Sequence, residues 1–262
     1  MDLGIKGRKA IVAGGSAGMG RSSARALARE GVEIFLSARG EARLVAAAAE
    51  IAAQSGSKVT PVVADHSTAE GRARLLEACP QPDIMVITCA PPVVTESFRD
   101  ITVADWNVAA DTTLIGPIEL MRSTMDGMAA RGFGRIVNIA TGAAKLPAEV
   151  RMLSGPSRSA LVNYTVAVSK AMAKHNVIIN NVLPGMFHTA TIAERFGTAA
   201  KANGTSYDQE VQKFVAHWRI PAARFGDPDD LGDFVAMFCS RQANFVIGQS
   251  LVMDGGLINL LF

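Results

Sequence analysis

The stretch Ala13-Gly14-Gly15-Ser16-Ala17-Gly18-Met19-Gly20 decides the fold of this chain. The apolar run Ala10-Ile11-Val12 comes directly before it, and a helix-forming run over residues 21–30 follows and ends at Gly31. This order predicts a buried strand, a glycine-rich turn and the start of a helix. Such a turn offers free backbone N–H groups and the positive end of a helix dipole to an anion, and its glycines let a pyrophosphate approach closely. The stretch therefore indicates dinucleotide binding, with a plain strand–helix turn as the alternative.

Composition excludes several functional classes. The chain has 262 residues, of which 49% are hydrophobic and 19% charged, so we expect a globular protein rather than a disordered one. A formal net charge of +2 gives no reason to expect a nucleic-acid or membrane partner, and no apolar run reaches the ~18 residues that span a bilayer. The N-terminal residues lack an apolar leader. The cysteines, Cys79, Cys89 and Cys239, are few and distant, which favours a cytoplasmic protein without disulfides, and the histidines lack metal-ligand spacing.

Apolar runs alternate with helical patterns along the whole chain. This alternation predicts a Rossmann-type doubly wound parallel sheet of about seven strands, in a single α/β domain over residues 1–262. We predict strands near 9–13, 32–37, 58–64, 83–88, 134–140, 177–182 and 249–253. We predict helices near 18–30, 40–54, 68–78, 102–130, 150–175, 190–218 (broken) and 228–239.

The end of the second predicted strand bears on the choice of cofactor. NAD-binding sites usually place a carboxylate there for the ribose hydroxyls, whereas this chain has Arg39. The planar guanidinium suits a phosphate, so Arg39 favours NADP(H). The alternative is a solvated arginine at the start of the next helix, and Arg21 is a weaker second candidate for the phosphate.

Several motifs, in order and spacing, resemble those of short-chain dehydrogenases/reductases, including their 3-oxoacyl-ACP reductase-like members. The glycine stretch is similar to the family's T-G-x-x-x-G-x-G loop, with Ala13 in place of threonine. Residues 179–189 resemble its V-N-x-V-x-P-G-x-x-x-T segment, and residues 248–256 its last strand. The resemblance covers nearly the whole chain and implies the following cofactor-binding residues: Gly14, Ser16, Gly18, Met19, Gly20, Arg39, Asp65, Ala90, Pro184, Gly185 and Thr189.

Three of these residues have individual roles by resemblance. Asp65 falls where the family has an acid near the adenine, with a helix N-cap as the alternative. Ala90 replaces part of the family's N-N-A-G segment, which here reads Cys89-Ala90-Pro91-Pro92, and its small side chain lets the cofactor lie close. Thr189 falls where the family binds the nicotinamide carboxamide.

The catalytic residues depart from the family's pattern. The family uses Asn, Ser, Tyr and Lys, and in familiar members the tyrosine lies about 26 and the lysine about 22 residues before the asparagine that corresponds to Asn180. Those positions hold Ser154 and Arg158, the serine position holds Thr141 and the asparagine position is about Thr113. Tyr164 lies ten residues beyond Ser154 and is expected to pack, so no Tyr-x-x-x-Lys pair is present.

The substitutes at these positions have some of the needed chemistry. Ser154 and Arg158 are i and i+4 on one helix face, and Arg158 keeps the positive charge that the lysine supplies. We predict an atypical catalytic site of Thr141, Ser154 and Arg158, in which the proton comes from water, from the substrate or from a lid side chain, for which Tyr207, His217 and His188 are the candidates. The alternative is that Ser154 caps the helix and Arg158 is solvated.

These observations predict an NADP(H)-dependent oxidoreductase that reduces a carbonyl or an activated C=C of an apolar or conjugated small molecule. Non-redox chemistry such as hydration or C–C cleavage, and a catalytically silent NADP-binding subunit, are the alternatives. Residues 190–222 and the apolar tail 257–262 suggest a substrate lid. Surplus apolar residues on the helix near 150–175 suggest a homodimer or homotetramer, as the resemblance implies.

Overall fold

A parallel sheet lies at the centre of the computed structural model, which describes residues 1–94 and 97–258. The tail prediction for residues 259–262 lies outside the described residues. The strands are β1 (Lys9–Ala13), β2 (Glu33–Ala38), β3 (Val59–Val63), β4 (Ile84–Thr88), β5 (Gly134–Ile139), β6 (Val177–Pro184) and β7 (Ser250–Met253). They pair in the order β3-β2-β1-β4-β5-β6-β7, and every pair is parallel. The predicted doubly wound fold and its strands are confirmed, with ends that differ by at most two residues.

Helices cover both faces of the sheet, and the interior of each central strand is therefore apolar on both sides. The helices are α1 (Gly18–Arg29), α2 (Glu41–Ser55), α3 (Ala69–Ala78), α4 (Val103–Ala110), α5 (Gly116–Ala130), α6 (Ser154–Met172), α7 (Ala190–Asn203), α8 (Tyr207–Trp218) and α9 (Pro228–Cys239). On β1 the consecutive residues Ile11 and Val12 are both fully buried, one in each of the two main core clusters. Within the described residues, no helix is long and apolar enough to cross a membrane.

The helix predicted near 102–130 is interrupted by a π-helical segment. α4 and α5 are joined by the π-helical turn Asp111–Ile115. At its end the backbone of Gly116 lies so close to the His66 carbonyl that a Cβ would come within 2.6 Å of the oxygen. Within it, the buried Thr113 hydroxyl bonds to the Ala109 carbonyl and the Ser157 hydroxyl, both at 2.7 Å. Such π-bulges are frequent at functional sites, and this one faces the cavity described below.

Helices α7 and α8 form a separate layer beyond the end of β6. The predicted break between them is at Gly204, which has φ +64°, and Ser206 begins α8 with a capping box. The two helices bury their own apolar cluster, which contains Phe196, Val211, Val215, Ile220 and Phe225. The layer therefore has a core distinct from the two that flank the sheet.

Candidate active site

One cavity of about 500 Å³ opens at the carboxyl ends of the central strands. Ligands of open α/β sheets bind at this edge, where the strand order reverses. Every site residue predicted from the sequence lines this cavity: Gly14, Ser16, Gly18, Met19, Gly20, Arg39, Asp65, Ala90, Thr141, Ser154, Arg158, Pro184, Gly185 and Thr189. The fold thus brings together residues that lie up to 175 positions apart, as the numbers 14 and 189 show.

The turn after β1 has a backbone that only glycine allows. Gly14 has φ +79°, and a Cβ there would lie 2.2 Å from the Thr88 carbonyl oxygen. A Cβ on Gly20 would lie 2.4 Å from the carbonyl oxygen of Gly14. Helix α1 begins after Ala17, whose side chain supplies no capping acceptor, so first-turn N–H groups remain available to a ligand. The turn is built to hold an anion at the start of α1.

The end of the cavity beside β2 carries exposed positive charge. The Arg39 side chain is 70% exposed and its Nη1 lies 3.8 Å from an Asp65 carboxylate oxygen. Arg43, in the first turn of α2, lines the cavity beside it, which sequence reasoning missed. Arg21 instead forms an ion pair with Glu50. Arg39 and Arg43 are therefore the cations placed to meet a phosphate at the end of β2.

Asp65 is held in a tight turn of its own. Its carboxylate accepts from the Ser67 N–H at 3.0 Å and the Ser67 hydroxyl at 2.7 Å. Burial alone would raise the pKa of Asp65, but these hydrogen bonds and the Arg39 charge outweigh it, and the pKa is lowered. The alternative that Asp65 caps the next helix is wrong, because Thr68 is the N-cap of α3 and accepts from the Gly71 N–H. Asp65 is thus an anionic group with room beside the cavity.

Arg158 is the most deeply buried charge of the cavity. It is only 6% exposed, and its guanidinium donates to the Ala140 carbonyl at 2.7 Å and the Cys89 carbonyl at 2.8 Å, at the ends of β5 and β4. Its Nε is buried without a partner among the described residues. Burial lowers the pKa of Arg158, although nearby Cys89 opposes the shift. The alternative of a solvated Arg158 is therefore wrong.

Ser154 and Thr141 lie beside Arg158 and differ in their hydrogen bonds. Ser154 is 5% exposed at the first position of α6, and the N-cap of that helix is Leu153. The alternative that Ser154 caps the helix is therefore wrong. The Thr141 hydroxyl accepts from the Ala143 N–H at 3.3 Å, which leaves its proton free to donate. Two hydroxyl groups and one cation therefore line the same part of the chain's cavity near the end of β5.

Three further residues of the cavity wall were missed from the sequence. His66 Nε2 lies 3.2 Å from the Thr112 carbonyl and 3.4 Å from Cys89 Sγ. Burial lowers the pKa of His66, and it raises the pKa of the Cys89 thiol to about 11. At the asparagine position Thr112 lines the cavity, while Thr113 lies behind it and is fully buried. The count from Trp106, which gave about Thr113, therefore lies one residue from the threonine that lines the cavity.

The proposed proton donors lie elsewhere. Tyr207 and His188 bond to each other, with 2.8 Å between the hydroxyl and Nδ1, and His217 packs edge-on to Trp218. None of these three side chains lines the cavity within the described parts of the chain. Tyr164 packs against the apolar core on its face of the sheet, as expected. Helix α7 contributes Thr191 and Ile192 to the cavity instead.

Sequence comparisons agree with this architecture. A family model described as enoyl-(acyl carrier protein) reductase matches residues 13–258. The chain is 29% identical to the uncharacterized oxidoreductase YgcW of Escherichia coli over 264 residues, which cover 97% of this chain and 94% of that protein. It is 24% identical to the 3-oxoacyl-(acyl-carrier-protein) reductase FabG of Aquifex aeolicus over 261 residues, with 98% and 100% covered.

Structural comparison gives a full-length match. The crystal structure of L-sorbose reductase from Gluconobacter frateurii, complexed with NADPH and L-sorbose, has a TM-score of 0.95 to this chain at 27% identity. The match covers 100% of both chains. The two proteins therefore share the same fold.

Proposed function

Because this chain belongs to the short-chain dehydrogenase/reductase superfamily, we propose that it is an NADP(H)-dependent oxidoreductase that reduces a carbonyl or an activated C=C bond. One observation carries the proposal. A single cavity joins the glycine turn and Arg39 at one end to Thr141, Ser154 and Arg158 at the other. The NADPH in the L-sorbose reductase complex supports the choice of cofactor.

The residues present fit the cofactor. The close approaches at Gly14 and Gly20 and the uncapped start of α1 suit a pyrophosphate, and Arg39 and Arg43 suit a 2′-phosphate. When bound, the nicotinamide supplies or accepts a hydride at the end of the cavity that Thr189 and Gly185 line. Thr189 also caps α7, since its hydroxyl accepts from the Ile192 N–H at 3.4 Å. Its side chain therefore links the cofactor site to the lid.

The chemistry needs a partner for the oxygen on which negative charge develops. Arg158 is preorganised for this task, because two backbone carbonyls hold its guanidinium in a site with little water. Arg158 does not release a proton at ordinary pH, and Ser154 has no base beside it. Thr141 and Ser154 orient the carbonyl by hydrogen bonds, and water or the substrate supplies the proton.

This atypical site favours substrates whose developing anion is delocalised. A conjugated ketone or a 1,3-dicarbonyl compound lowers the demand for a proton donor, whereas a simple ketone does not. We therefore propose that the enzyme reduces activated carbonyl compounds well and oxidises plain secondary alcohols poorly. Absence of turnover with retained NADPH binding would favour a silent subunit or non-redox chemistry.

The test is NADPH consumption, followed at 340 nm, against paired panels. One panel holds enones and 1,3-dicarbonyl compounds, and the other holds saturated monoketones of the same size. We expect turnover in the first panel and at least about tenfold lower kcat/KM in the second. Brisk oxidation of a plain secondary alcohol that survives Arg158→Ala would show that the active site is placed wrongly.

Self-association is part of the same proposal. On α6 the side chains of Val168 and Met172 pack on the core, so Val162 and Val166 remain as its half-exposed apolar residues. Large apolar side chains nearby are more exposed, with Val103 at 76% and Val108 at 65% on α4. We propose a homodimer or homotetramer in which a second copy of the chain covers α4 and α6. We also propose a location in the cytoplasm. A monomer in light scattering at micromolar concentration would contradict the assembly.

A further inference from the structure

Two arginines lie at the catalytic end of the cavity. Arg158 is buried at its floor, and Arg151 lines the wall from the short 3₁₀ turn that precedes α6. Burial and the charges of Arg195 and Arg158 together lower the pKa of Arg151. The wall and the floor of this end thus carry the same sign of charge.

No carboxylate balances this charge within the described parts of the chain. Over residues 1–94 and 97–258, neither arginine takes part in an ion pair, although arginines elsewhere do. At the opposite end of the cavity Arg39 has Asp65, and nearby Arg21 has Glu50. The Nε of Arg158 is buried and has no partner among the same residues. Burying like charges is unfavourable unless an anion joins them.

We infer that the substrate carries an oxyanion group, a carboxylate or a phosphate, which Arg151 binds from the wall of the cavity. Arg158 then faces the reacting oxygen, so the inference rests on the proposed function and names its substrate class. The planar guanidinium fork of arginine matches both kinds of group.

The phosphates of the cofactor do not account for this charge. The pyrophosphate belongs at the glycine turn and the start of α1, and the third phosphate belongs beside Arg39, at the other end of the cavity. Arg151 lies instead three residues before Ser154, on the side where the substrate must meet the catalytic groups. The anion that Arg151 binds is therefore a group of the substrate.

The first experiment measures anion binding without turnover. The protein is saturated with NADP⁺, and its thermal midpoint is followed as sodium succinate or sodium phosphate is added, against sodium chloride of equal ionic strength. We expect a saturable rise with one of the two anions, and which one tells carboxylate from phosphate. The rise should be lost in Arg151→Gln and kept in the matched control Arg74→Gln, an exposed arginine of α3.

Two outcomes of this experiment would overturn the inference. One is a rise of equal size with both anions and with chloride. The other is a rise that is seen only when the titration is repeated without NADP⁺ and is absent when NADP⁺ is saturating, because the anion would then occupy the cofactor's own site. Arg151→Lys serves as the folding control, since it keeps the charge and should keep part of the rise.

The second experiment separates the inference from the proposed function. Acetoacetate is compared with methyl acetoacetate, which keeps the 1,3-dicarbonyl but removes the charge, and acetonyl phosphate with hydroxyacetone. We expect at least about tenfold lower KM for one charged member, and Arg151→Gln should raise that KM while leaving the KM of its neutral partner unchanged. Turnover of charged and neutral members with equal KM would refute the inference and keep the oxidoreductase. Anion binding without any turnover would refute the oxidoreductase and keep the anion site.

Discussion

The two ends of the cavity are built in different ways. At the glycine turn, the ligand contacts that we propose are made by the backbone, through Gly14, Gly20 and the first N–H groups of α1. At the proposed catalytic end they are made by the side chains of Thr141, Ser154 and Arg158, and carbonyls that directly follow two different strands hold the buried arginine. A backbone site tolerates few residue types, whereas a side-chain site can keep its position while its chemistry changes. The glycine turn accordingly resembles the family's pattern, whereas we predict that the catalytic positions depart from it.

The largest expected effect tests the backbone end. Gly14→Ala should lower the free energy of unfolding by about 3–5 kcal/mol, because the new Cβ would lie 2.2 Å from the Thr88 carbonyl oxygen at φ +79°. Urea unfolding measures this. The control is Gly197→Ala on α7, where a Cβ has open space, and it should be neutral or stabilising. A Gly14→Ala protein as stable as the unmodified one would show that the turn does not require glycine at this position, and the contrast between the two ends would fail.

The next effect tests the side-chain end. Arg158→Ala should lower kcat/KM by about 100-fold and Ser154→Ala by less than about tenfold, because a charge stabilises a developing oxyanion more than a neutral hydroxyl does. Arg158→Ala also leaves the carbonyls of Ala140 and Cys89 without their donor, which costs stability. Urea unfolding of the same variants, together with Arg158→Lys, separates the two effects. Equal losses in activity for Ser154→Ala and Arg158→Ala would mean that the charge has no special part.

A smaller effect sharpens the difference within the cofactor site. Arg39→Asp should weaken NADPH binding by about tenfold or more and spare or improve NADH binding, because it repels the 2′-phosphate. Fluorescence titration of both cofactors measures the ratio. Arg21→Gln, whose arginine is already paired with Glu50, should change the ratio much less. Equal affinities for NADPH and NADH in the unmodified protein would rule out the role of Arg39.

The smallest effect concerns the pH dependence of stability, through His66 in the cavity wall. Burial lowers the pKa of His66 below its ordinary 6.5, so the unfolded chain takes up a proton first as the pH falls. Well above the ordinary pKa of 6.5, His66 is neutral in both states and does not make stability depend on pH. As the pH falls through that value, the unfolded chain binds the proton and the free energy of unfolding decreases. His66→Asn should reduce the decrease in the free energy of unfolding between about pH 7.5 and pH 5.5, measured by urea unfolding. His175→Asn, at an exposed histidine, should leave that decrease unchanged. If the free energy of unfolding of His66→Asn fell with pH as steeply as that of the unmodified protein, a group other than His66 would dominate the pH dependence of stability.

The sequence by itself predicted the strands and helices along the chain, and the cofactor-binding residues that it proposed line one cavity. Periodicity and glycine spacing are local properties, so β1, its turn and α1 follow from neighbouring residues alone. The motif spacing also placed Ser154 and Arg158 on one helix face, which the structure keeps at the cavity.

Only the tertiary structure decided what surrounds these residues. The burial of Arg158, its carbonyl partners on Cys89 and Ala140, and its lack of a carboxylate among the described residues depend on chain segments up to 69 positions apart. The π-helical turn, where Thr112 lines the cavity and Thr113 is buried, ends at the close approach of Gly116 to His66, which lies 50 positions away in the sequence. Such contacts cannot be read from local patterns, because the free energy of a buried charge is set by what lies across the cavity and not by its neighbours in sequence.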